Sequence, residues 1–197
     1  MYARYGKRLL DAVAAELGLI LLLPIILGVS LFLLINPGRP LFYFQSRVGR
    51  GGKCFSIVKF RTMKDGCDDR LTITVLGDER VTPAGRIFRS WKLDEIPQLW
   101  NVLKGEMSLV GPRPDVSGYY DRLQGADRRI LLLRPGLTGP ATLKYADEEA
   151  VLAGQADPVR YNDEIIFPDK VGLNRCYLDE CSLGLDLRYL RMTLFGH

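Results

Sequence analysis

The sequence predicts an α+β protein that is mostly helical, and three patterns in it support this class. Residues 17–35 are apolar and uncharged, as expected for a helix in a membrane. Two β-prone runs, at 40–48 and 53–63, flank the glycine-rich stretch GRGG and predict a small β-hairpin. Most later segments repeat apolar residues at helical spacing. With 197 residues, the chain is long enough for one domain with a sizeable core.

The apolar segment 17–35 admits two interpretations. Basic residues flank it on both sides, namely Arg4, Lys7 and Arg8 before it and Arg39, Arg47, Arg50 and Lys53 after it. The positive-inside rule therefore favours both ends in the cytosol, and Pro24 near the middle bends the helix because it removes a backbone hydrogen bond. These features fit a re-entrant helix, but a kinked spanning helix fits the residues equally well, since Pro is common in spanning helices. No small-residue cleavage site follows, so we expect the segment to be retained.

The other elements are predicted in chain order. Residues 1–17 have the pattern of an amphipathic helix in the headgroup plane, and residues 64–80 that of a charged surface loop with a short strand at 71–75. Helical patterns follow at 125–133, 147–154, 162–181 with a break at Pro168, and 183–197. In the last segment one stripe contains Leu183, Leu187, Leu190 and Leu194. That stripe predicts either a core-facing helix or a second interfacial helix.

Composition excludes several kinds of catalytic site. The four cysteines have no C-x-x-C spacing, and the one histidine is His197, so neither a Cys/His zinc site nor a histidine-dependent triad is expected. We expect the cysteines to be reduced thiols. Catalysis would then have to use carboxylates, Lys, Tyr or a metal. The net charge of +4 is compatible with an anionic membrane, a phosphorylated substrate or nucleic acid as the partner. It does not distinguish among these three.

The acidic pair Asp94-Glu95 opens a segment of helical spacing that runs into Gly-Pro-Arg-Pro at 111–114. The simplest interpretation makes Asp94 the N-cap of a helix, with Glu95 in the first turn, where the helix dipole favours negative charge. Pro97 is then early enough for its missing N–H to cost little. This interpretation explains the pair without any chemistry, and the segment alone leaves it open.

Three arginines favour a phosphorylated substrate. Arg89, Arg113 and Arg134 lie near the acidic pair or in loops stiffened by Pro and Gly, a setting in which a guanidinium is held ready for bidentate phosphate binding. Each one alone is better explained by solvation or a structural ion pair, and only the three together beside the acidic pair point to a phosphorylated substrate. No P-loop or dinucleotide-binding motif is present.

Four motifs together resemble the bacterial sugar transferase family, the small monotopic polyprenyl-phosphate phosphoglycosyl transferases. They are KRLLD at 7–11, KFRTM at 59–63, LDEIPQLWNVLKGEMSLVGPRP at 93–114 and RPGLTG at 134–139. The likeness runs in order over residues 5–140, and its most specific block is the one that joins the acidic pair to GPRP. The chain departs from the best-known small members at the helix bend, where Leu23-Pro24 replaces a Ser-Pro pair and lacks its hydroxyl.

The resemblance implies transfer of a sugar phosphate from a UDP-sugar to undecaprenyl phosphate, giving undecaprenyl-diphosphate-sugar and UMP. This is the first membrane step of glycoconjugate assembly, at the cytoplasmic face of the bacterial inner membrane. Residues 1–36 would be a membrane-associated re-entrant helix and residues 37–197 a catalytic domain, with interfacial amphipathic helices around its active site. The implied partners are both substrates, membrane lipid and a second copy of the chain, but no nucleic acid.

By the family pattern, Asp94 is the nucleophile that forms a phosphosugar intermediate, and Glu95 is its acidic partner. The chemistry is sound because an ionised carboxylate attacks phosphorus without a base. The resemblance also implies Mg²⁺ with Asp94 as its ligand, since this ion is held by one or two carboxylates plus substrate phosphates. The positions implied to bind substrate are Lys59, Arg61, Arg89, Pro112, Arg113, Pro114 and Arg134.

Two alternatives to covalent transfer remain. One is a membrane adaptor without activity, in which the acidic pair is only a cap and the arginines bind lipid headgroups. The other is direct transfer, in which Glu95 acts as a general base on the acceptor phosphate.

Overall fold

A computed structural model of the chain describes residue 2 and residues 6–35, 40–64 and 78–196. Its α-helices are α1 (Lys7–Leu21), α2 (Leu23–Ile35), α3 (Pro83–Ser90), α4 (Gln98–Lys104), α5 (Pro140–Lys144), α6 (Glu148–Ala153), α7 (Pro158–Tyr161), α8 (Phe167–Glu180) and α9 (Leu183–Phe195). Its strands are β1 (Phe42–Val48), β2 (Cys54–Phe60), β3 (Ser108–Val110) and β4 (Gly136–Thr138). Strands β1 and β2 form an antiparallel hairpin, and β3 and β4 a parallel pair.

This architecture confirms the predicted class, mostly helical with a small antiparallel hairpin. The helix at 147–154 is confirmed as α6. The break in 162–181 is confirmed as a change from a π-helical turn, Asn162–Ile166, to α8 just before Pro168. The segment 125–133 contains a 3₁₀ helix, Asp127–Leu132. The strand predicted at 71–75 and His197 lie outside the described residues, and the division at residue 36 stays a prediction.

A bend interrupts the apolar N-terminal run at Leu22. Pro24 follows near the start of α2 and has no N–H to donate to the carbonyl of Ile20. Helices α1 and α2 meet at 58°, so the predicted bend is confirmed. Because the break lies inside the apolar segment, the predicted interfacial helix and the first part of that segment form one helix. Among the described residues no single helix is long and apolar enough to cross a bilayer, and only this bent pair reaches that length.

Helix α1 presents its charged residues to the protein and its leucines to the outside. Lys7 and Asp11 are buried, whereas Leu9 is 68% exposed and Leu21 76% exposed. The buried charges have partners, as burial requires. The carboxylate of Asp11 accepts a hydrogen bond of 3.0 Å from the N–H of Leu109. Charged side chains on one face of α1 thus bind it to the rest of the molecule, and Ala14 and Ala15 pack against the core, whereas its outward leucines are exposed.

Helix α9 shows the same inversion. Asp186 is fully buried and accepts hydrogen bonds from Lys7 and from the hydroxyl of Tyr177, each 2.5 Å long. Leu187 and Leu194 are exposed, the latter by 74%. The core-facing interpretation of this leucine stripe holds only for Leu190, which packs against the core, because the ion pair that joins α9 to α1 leaves the other three leucines exposed. The interfacial interpretation stays a prediction.

Helix α4 lies between α1 and the hairpin and connects them. The side chain of Asn101, which is buried, donates to the carbonyl of Ser56 at 2.8 Å and accepts from the N–H of Val58 at 3.1 Å. Behind these bonds, Ile57 and Val102 pack in the same apolar core. The amide therefore fixes β2 against the helix whose N-terminal approach carries the acidic pair.

The hairpin is confirmed at the predicted place, with Val48 opposite Cys54 and Tyr43 opposite Lys59. The described cysteines, Cys54, Cys176 and Cys181, are free thiols. Cys67 lies outside the described residues, and the reduced state of the thiols stays a prediction.

Candidate active site

A tight turn between α3 and α4 carries the acidic pair. Lys92 has a φ of +55° and is the one residue other than glycine with positive φ among those described, a conformation that costs energy for a side chain with a Cβ. It leads into a 3₁₀ turn, Leu93–Glu95. Helix α4 begins only at Gln98, with Pro97 at its N-cap and no side-chain cap. The N-cap interpretation of Asp94 is therefore wrong, because the helix starts beyond Pro97 and the carboxylate turns inward.

Asp94 is a buried carboxylate without a donor. Its residue is 6% exposed, and it accepts no hydrogen bond from the residues that the structure describes. Burial raises its pKa, against the opposing charges of Lys59 and Arg89. A carboxylate in this setting keeps its lone pairs free and is more basic than an ordinary aspartate.

Glu95 has the opposite environment. Its carboxylate accepts a hydrogen bond of 2.8 Å from the Lys59 ammonium and two from the Arg113 guanidinium, of 2.5 and 3.4 Å. Burial alone would raise its pKa, but Arg113 and Lys59 hold the pKa well below its usual range. In return, Glu95 raises the pKa of Arg113. Glu95 is thus a fixed anion that orients two cations beside Asp94.

Arg89 approaches from the last turn of α3. Its Nε donates to the hydroxyl of Thr62 at 3.0 Å, and its Nη1 lies 3.5 Å from the carboxylate of Glu149. Its charge opposes the rise in the pKa of Asp94. Arg89 is therefore within electrostatic reach of the acidic pair, as the sequence predicted.

Two backbone hydrogen bonds hold the Gly-Pro-Arg-Pro loop that carries Arg113. The N–H of Gly111 donates to the carbonyl of Thr138 at 2.8 Å, and the N–H of Gly136 donates to the carbonyl of Pro112 at 2.7 Å. A Cβ on Gly111 would lie 2.4 Å from the carbonyl oxygen of Arg134, so only glycine allows this backbone approach. The GPRP and RPGLTG motifs, distant in sequence, are therefore neighbours in space.

Arg134 lies at the other end of α4. Its Nε donates to the carbonyl of Gly105 at 2.8 Å, beside Arg8, which donates to the carbonyls of Val102 and Leu103 at 2.6 Å each. Both arginines satisfy carbonyls at the helix C-terminus, which lack partners inside the helix. The structure brings Arg89, Arg113 and Lys59 to the acidic pair and does not bring Arg134 there.

The remaining predicted positions surround Arg113 or follow Lys59. Pro112 is buried and Pro114 half-buried on either side of Arg113. Arg61 is half-buried just after β2, and its N–H donates to the carbonyl of Leu41 at 2.9 Å. The substrate-binding roles assigned to these residues stay predictions.

Arg47 and Asp115 lie near the site and were not predicted to belong to it. Arg47 donates to the carbonyl of Pro114 at 3.4 Å and lies 3.7 Å from the carboxylate of Asp115. Strand alternation could have found Arg47, since Tyr43 is opposite Lys59 in the hairpin and residues two apart share a face.

The C-terminal third also supplies residues that no motif indicated. Glu148 and Glu149 begin α6, and Lys170 of α8 donates to both carboxylate oxygens of Glu148 at 2.7 Å. The charge of Glu148 contributes to raising the pKa of Arg113. An acidic helix start is too common a pattern to point to a site.

The residues present fit Mg²⁺ only together with a substrate. Within the described ranges no group of three or more His, Cys, Asp or Glu side chains could hold a metal. Mg²⁺, however, keeps several waters and often takes one or two carboxylates plus phosphate oxygens. Asp94, the carboxylate without a donor, could be such a ligand, whereas Glu95 is fully engaged by Lys59 and Arg113.

Comparison of the sequence with known proteins finds similarity to sugar transferases. A model of the family described as "Bacterial sugar transferase" matches residues 2–196. The chain is 43% identical over 194 residues to the UDP-glucose:undecaprenyl-phosphate glucose-1-phosphate transferase of Caulobacter vibrioides, covering 95% of this chain and 68% of that protein. It is 36% identical over 189 residues to the uncharacterized sugar transferase EpsL of Bacillus subtilis, covering 95% and 85% respectively.

A longer relative has an additional region outside the matched part. The UDP-N-acetylgalactosamine-undecaprenyl-phosphate N-acetylgalactosaminephosphotransferase of Aeromonas hydrophila is 33% identical over 195 residues, covering 95% of this chain. The chain spans 42% of the length of that relative.

Proposed function

The chain belongs to the bacterial sugar transferase family, and we propose on this basis that it transfers a sugar 1-phosphate from a UDP-sugar to undecaprenyl phosphate. The products are undecaprenyl-diphosphate-sugar and UMP, and the reaction is the first membrane step of glycoconjugate assembly. The names of the Caulobacter and Aeromonas relatives, which describe the same kind of transfer, support the proposal.

One observation carries the mechanism: the two adjacent carboxylates have opposite environments. Glu95 is pinned by two cations, whereas Asp94 is buried, accepts no hydrogen bond from described residues and has a raised pKa. A nucleophile needs free lone pairs and basicity, and its neighbour needs a fixed charge that positions cations for the phosphates. This division supports Asp94 as the nucleophile.

The proposed reaction has two displacements at one phosphorus. An oxygen of Asp94 forms a bond to the phosphorus that carries the sugar, and the bond from that phosphorus to the bridging oxygen breaks, so that UMP leaves with the electron pair. An oxygen of undecaprenyl phosphate then attacks the same phosphorus and releases the carboxylate of Asp94. The cations Arg113, Lys59 and Arg89 would stabilise charge on the phosphates during both steps.

The same geometry disfavours both alternatives. A general base must accept a proton near neutral pH, but Arg113 and Lys59 hold the pKa of Glu95 far too low for that role. The adaptor hypothesis explained the acidic pair as a helix cap, and Asp94 does not cap α4.

Mg²⁺ suits the charge balance of this site. Arg89, Arg113 and Lys59 already have carboxylate partners, so a diphosphate would add negative charge that these cations do not fully offset. When bound, Mg²⁺ would supply electrostatic stabilisation of the diphosphate as its bridge breaks. We propose that Asp94 and the substrate phosphates would hold it.

The reaction is tested by incubating the detergent-solubilised protein with Mg²⁺, undecaprenyl phosphate and a panel of UDP-sugars. The expected result is UMP release over many turnovers, beyond one equivalent per enzyme, that depends on undecaprenyl phosphate and stops on addition of a chelator. Absence of UMP with every sugar would contradict the proposed function.

We further propose that α1 and α2 form a re-entrant pair at the cytoplasmic face of the inner membrane. The exposed leucines of α1 and α9 support it, since lipid would cover apolar faces that water does not favour. The homodimer stays a prediction.

The topology can be tested with single reporter cysteines. Gly6 and Cys54 lie before and after the pair and are exposed. A Gly6→Cys variant without other cysteines, and a variant that keeps Cys54 alone, should be labelled from the same side of the membrane. Labelling from opposite sides would contradict the re-entrant path.

A further inference from the structure

Helix α6 carries two adjacent carboxylates with different partners, and one of them contacts the candidate active site. Glu148 accepts two hydrogen bonds of 2.7 Å from Lys170. The next residue, Glu149, lies 3.5 Å from the guanidinium of Arg89. The C-terminal third of the chain is therefore connected to a predicted substrate-binding arginine through one side chain of α6.

The two contacts differ in strength. A charge-assisted hydrogen bond from nitrogen to oxygen is normally 2.7–2.9 Å long, so the bonds of Glu148 are ordinary and the contact of Glu149 is long. The side chain of Glu149 is also 50% exposed, against 26% for Glu148. An exposed pair at this distance contributes little stability. Glu148 thus anchors α6, and Glu149 is readily displaced.

Arg89 is oriented independently of Glu149. Its Nε donates to the hydroxyl of Thr62, a buried residue, at 3.0 Å. The guanidinium therefore keeps its direction when Glu149 leaves, and the Nη1 that faces Glu149 becomes available to an anion. Because the charge of Arg89 acts on Asp94, an anion bound there would lie near the proposed nucleophile.

We propose that Glu149 is a placeholder for a substrate phosphate on Arg89. A diphosphate carries more charge than a carboxylate and offers Arg89 a bidentate contact, so it displaces Glu149 and releases this contact of α6 when the nucleotide binds. When UMP leaves, Glu149 returns and neutralises Arg89 while one bulky substrate replaces the other. This inference rests on the proposed function, because it takes the ligand to be a nucleoside diphosphate sugar.

Calorimetric titration with UDP and Mg²⁺ tests the placeholder. The proteins are the wild type, Glu149→Gln, and Glu164→Gln as a control with the same charge change on an exposed glutamate paired with Arg160 at 2.9 Å. Glu149→Gln should bind UDP about two- to fivefold more tightly, since a weak competing ion pair is lost. Glu164→Gln should bind like the wild type. Inorganic pyrophosphate should show the same ratio, because the competition concerns phosphate.

Several results would overturn the inference. They are an unchanged or weaker UDP affinity in Glu149→Gln, an equal gain in the Glu164→Gln control, and a gain for UDP that pyrophosphate does not share. If the wild type binds no UDP and releases no UMP, the proposed function fails and the inference fails with it. If the wild type does both and Glu149→Gln is unchanged, only the placeholder fails.

Hydrogen exchange gives a readout that does not depend on affinity. In the wild type, UDP should speed amide exchange at Val151 and Leu152 in α6, since binding breaks the contact with Arg89. In Glu149→Gln the exchange should already be fast and should respond little to UDP. Slower exchange in the wild type on binding UDP would contradict displacement of Glu149.

Discussion

The two ends of α4 both gather arginines, but the arginines have different partners. At the N-terminal end, Arg113 faces the carboxylate of Glu95. At the C-terminal end, Arg134 and Arg8 face backbone carbonyls. Arg113 and Arg134 come from Pro-containing loops that are neighbours through β3 and β4, yet their guanidinium groups lie at opposite ends of the helix.

This difference shows that a stiff loop fixes the position of an arginine and not its partner. Under the proposed function, the end of α4 that carries the carboxylate pair would bind and release phosphates, because its cations are balanced by carboxylates and not by helix-end carbonyls. The end where carbonyls are satisfied is structural, since removing a cation there exposes helix-end acceptors. The predictions below separate the two ends by activity and by stability.

The largest effect is expected from Asp94→Asn. The amide cannot attack phosphorus, so turnover should fall by at least about a thousandfold, the scale expected for loss of a nucleophile. The fold should survive, since Asn is nearly isosteric and the carboxylate accepts no hydrogen bond from described residues. UMP release and the unfolding temperature measure the two effects. Retained turnover with an intact fold would remove Asp94 from the mechanism.

A smaller loss is expected from Arg113→Lys at the same end. Lys keeps the charge but loses the planar fork that contacts both oxygens of Glu95 and would contact a phosphate. We expect kcat to fall by roughly tenfold to a hundredfold, which is the effect of weakening one transition-state contact. Steady-state kinetics with UDP-sugar measures it. Unchanged kcat would show that charge alone suffices.

The pH dependence of the reaction rate should reflect the raised pKa of Asp94 and not the lowered pKa of Glu95. Because the pKa of Asp94 is raised, the rate of the half-reaction with UDP-sugar should rise with pH above the range where an ordinary aspartate is already ionised. Rapid-quench measurement of UMP in a single turnover follows this limb. A rate that is flat upward from about pH 4, the ordinary pKa of Asp, would contradict the raised pKa.

The stability of the protein should depend on the ionisation of Glu95, whose pKa is shifted in the direction opposite to that of Asp94. Its folded pKa lies below the usual 4.5, so its contribution to the free energy of unfolding is complete above that value and is lost as the pH falls through the lower folded pKa. The unfolding temperature of Glu95→Gln should therefore depend less on pH in the acid range than that of the wild type. Parallel curves for the two proteins would show that the ion pairs are not maintained in solution.

The smallest effect on turnover is expected from Arg134→Gln. Arg134 donates to the carbonyl of Gly105 and has no contact with the acidic pair among described residues. We expect turnover within about twofold of the wild type and a loss of about 1 kcal/mol in the free energy of unfolding, typical of one hydrogen bond. Kinetics and denaturant unfolding measure the two. A loss of turnover equal to that of Arg113→Lys would erase the difference between the ends.

Sequence periodicity predicted the elements better than their orientation. The hairpin and the helices at 147–154 and 162–181 follow from spacing alone. The segments in α1, α4 and α9 were also found, but each buries polar residues that periodicity assigned to the exposed face: Lys7 pairs with Asp186, and Asn101 binds the hairpin. Predicting which face of a helix is buried from apolar periodicity assumes that water surrounds the protein. The prediction fails where a buried ion pair or amide has partners inside the protein and leucines are exposed.

The candidate site was predictable only as far as its motifs extend. The acidic pair, Lys59 and Arg113 lie within the quoted motifs, and the structure brings them together. The placement of Arg134 was not predictable, because sequence does not tell which end of α4 the side chain reaches. Glu149 arrives from a helix distant in sequence through tertiary packing, for which a single sequence offers no signal.

Mass spectrometry of the protein mixed with UDP-sugar and Mg²⁺, without undecaprenyl phosphate, tests the central claim that Asp94 becomes covalently linked to a sugar phosphate. After an acid quench, we expect up to one equivalent of UMP and one peptide that gains the mass of a sugar phosphate, with fragmentation placing the added mass on Asp94 and not on Glu95. Asp94→Asn, treated identically, should show neither. An enzyme that turns over with both substrates, yet releases no UMP and gains no mass with UDP-sugar alone, would contradict the claim.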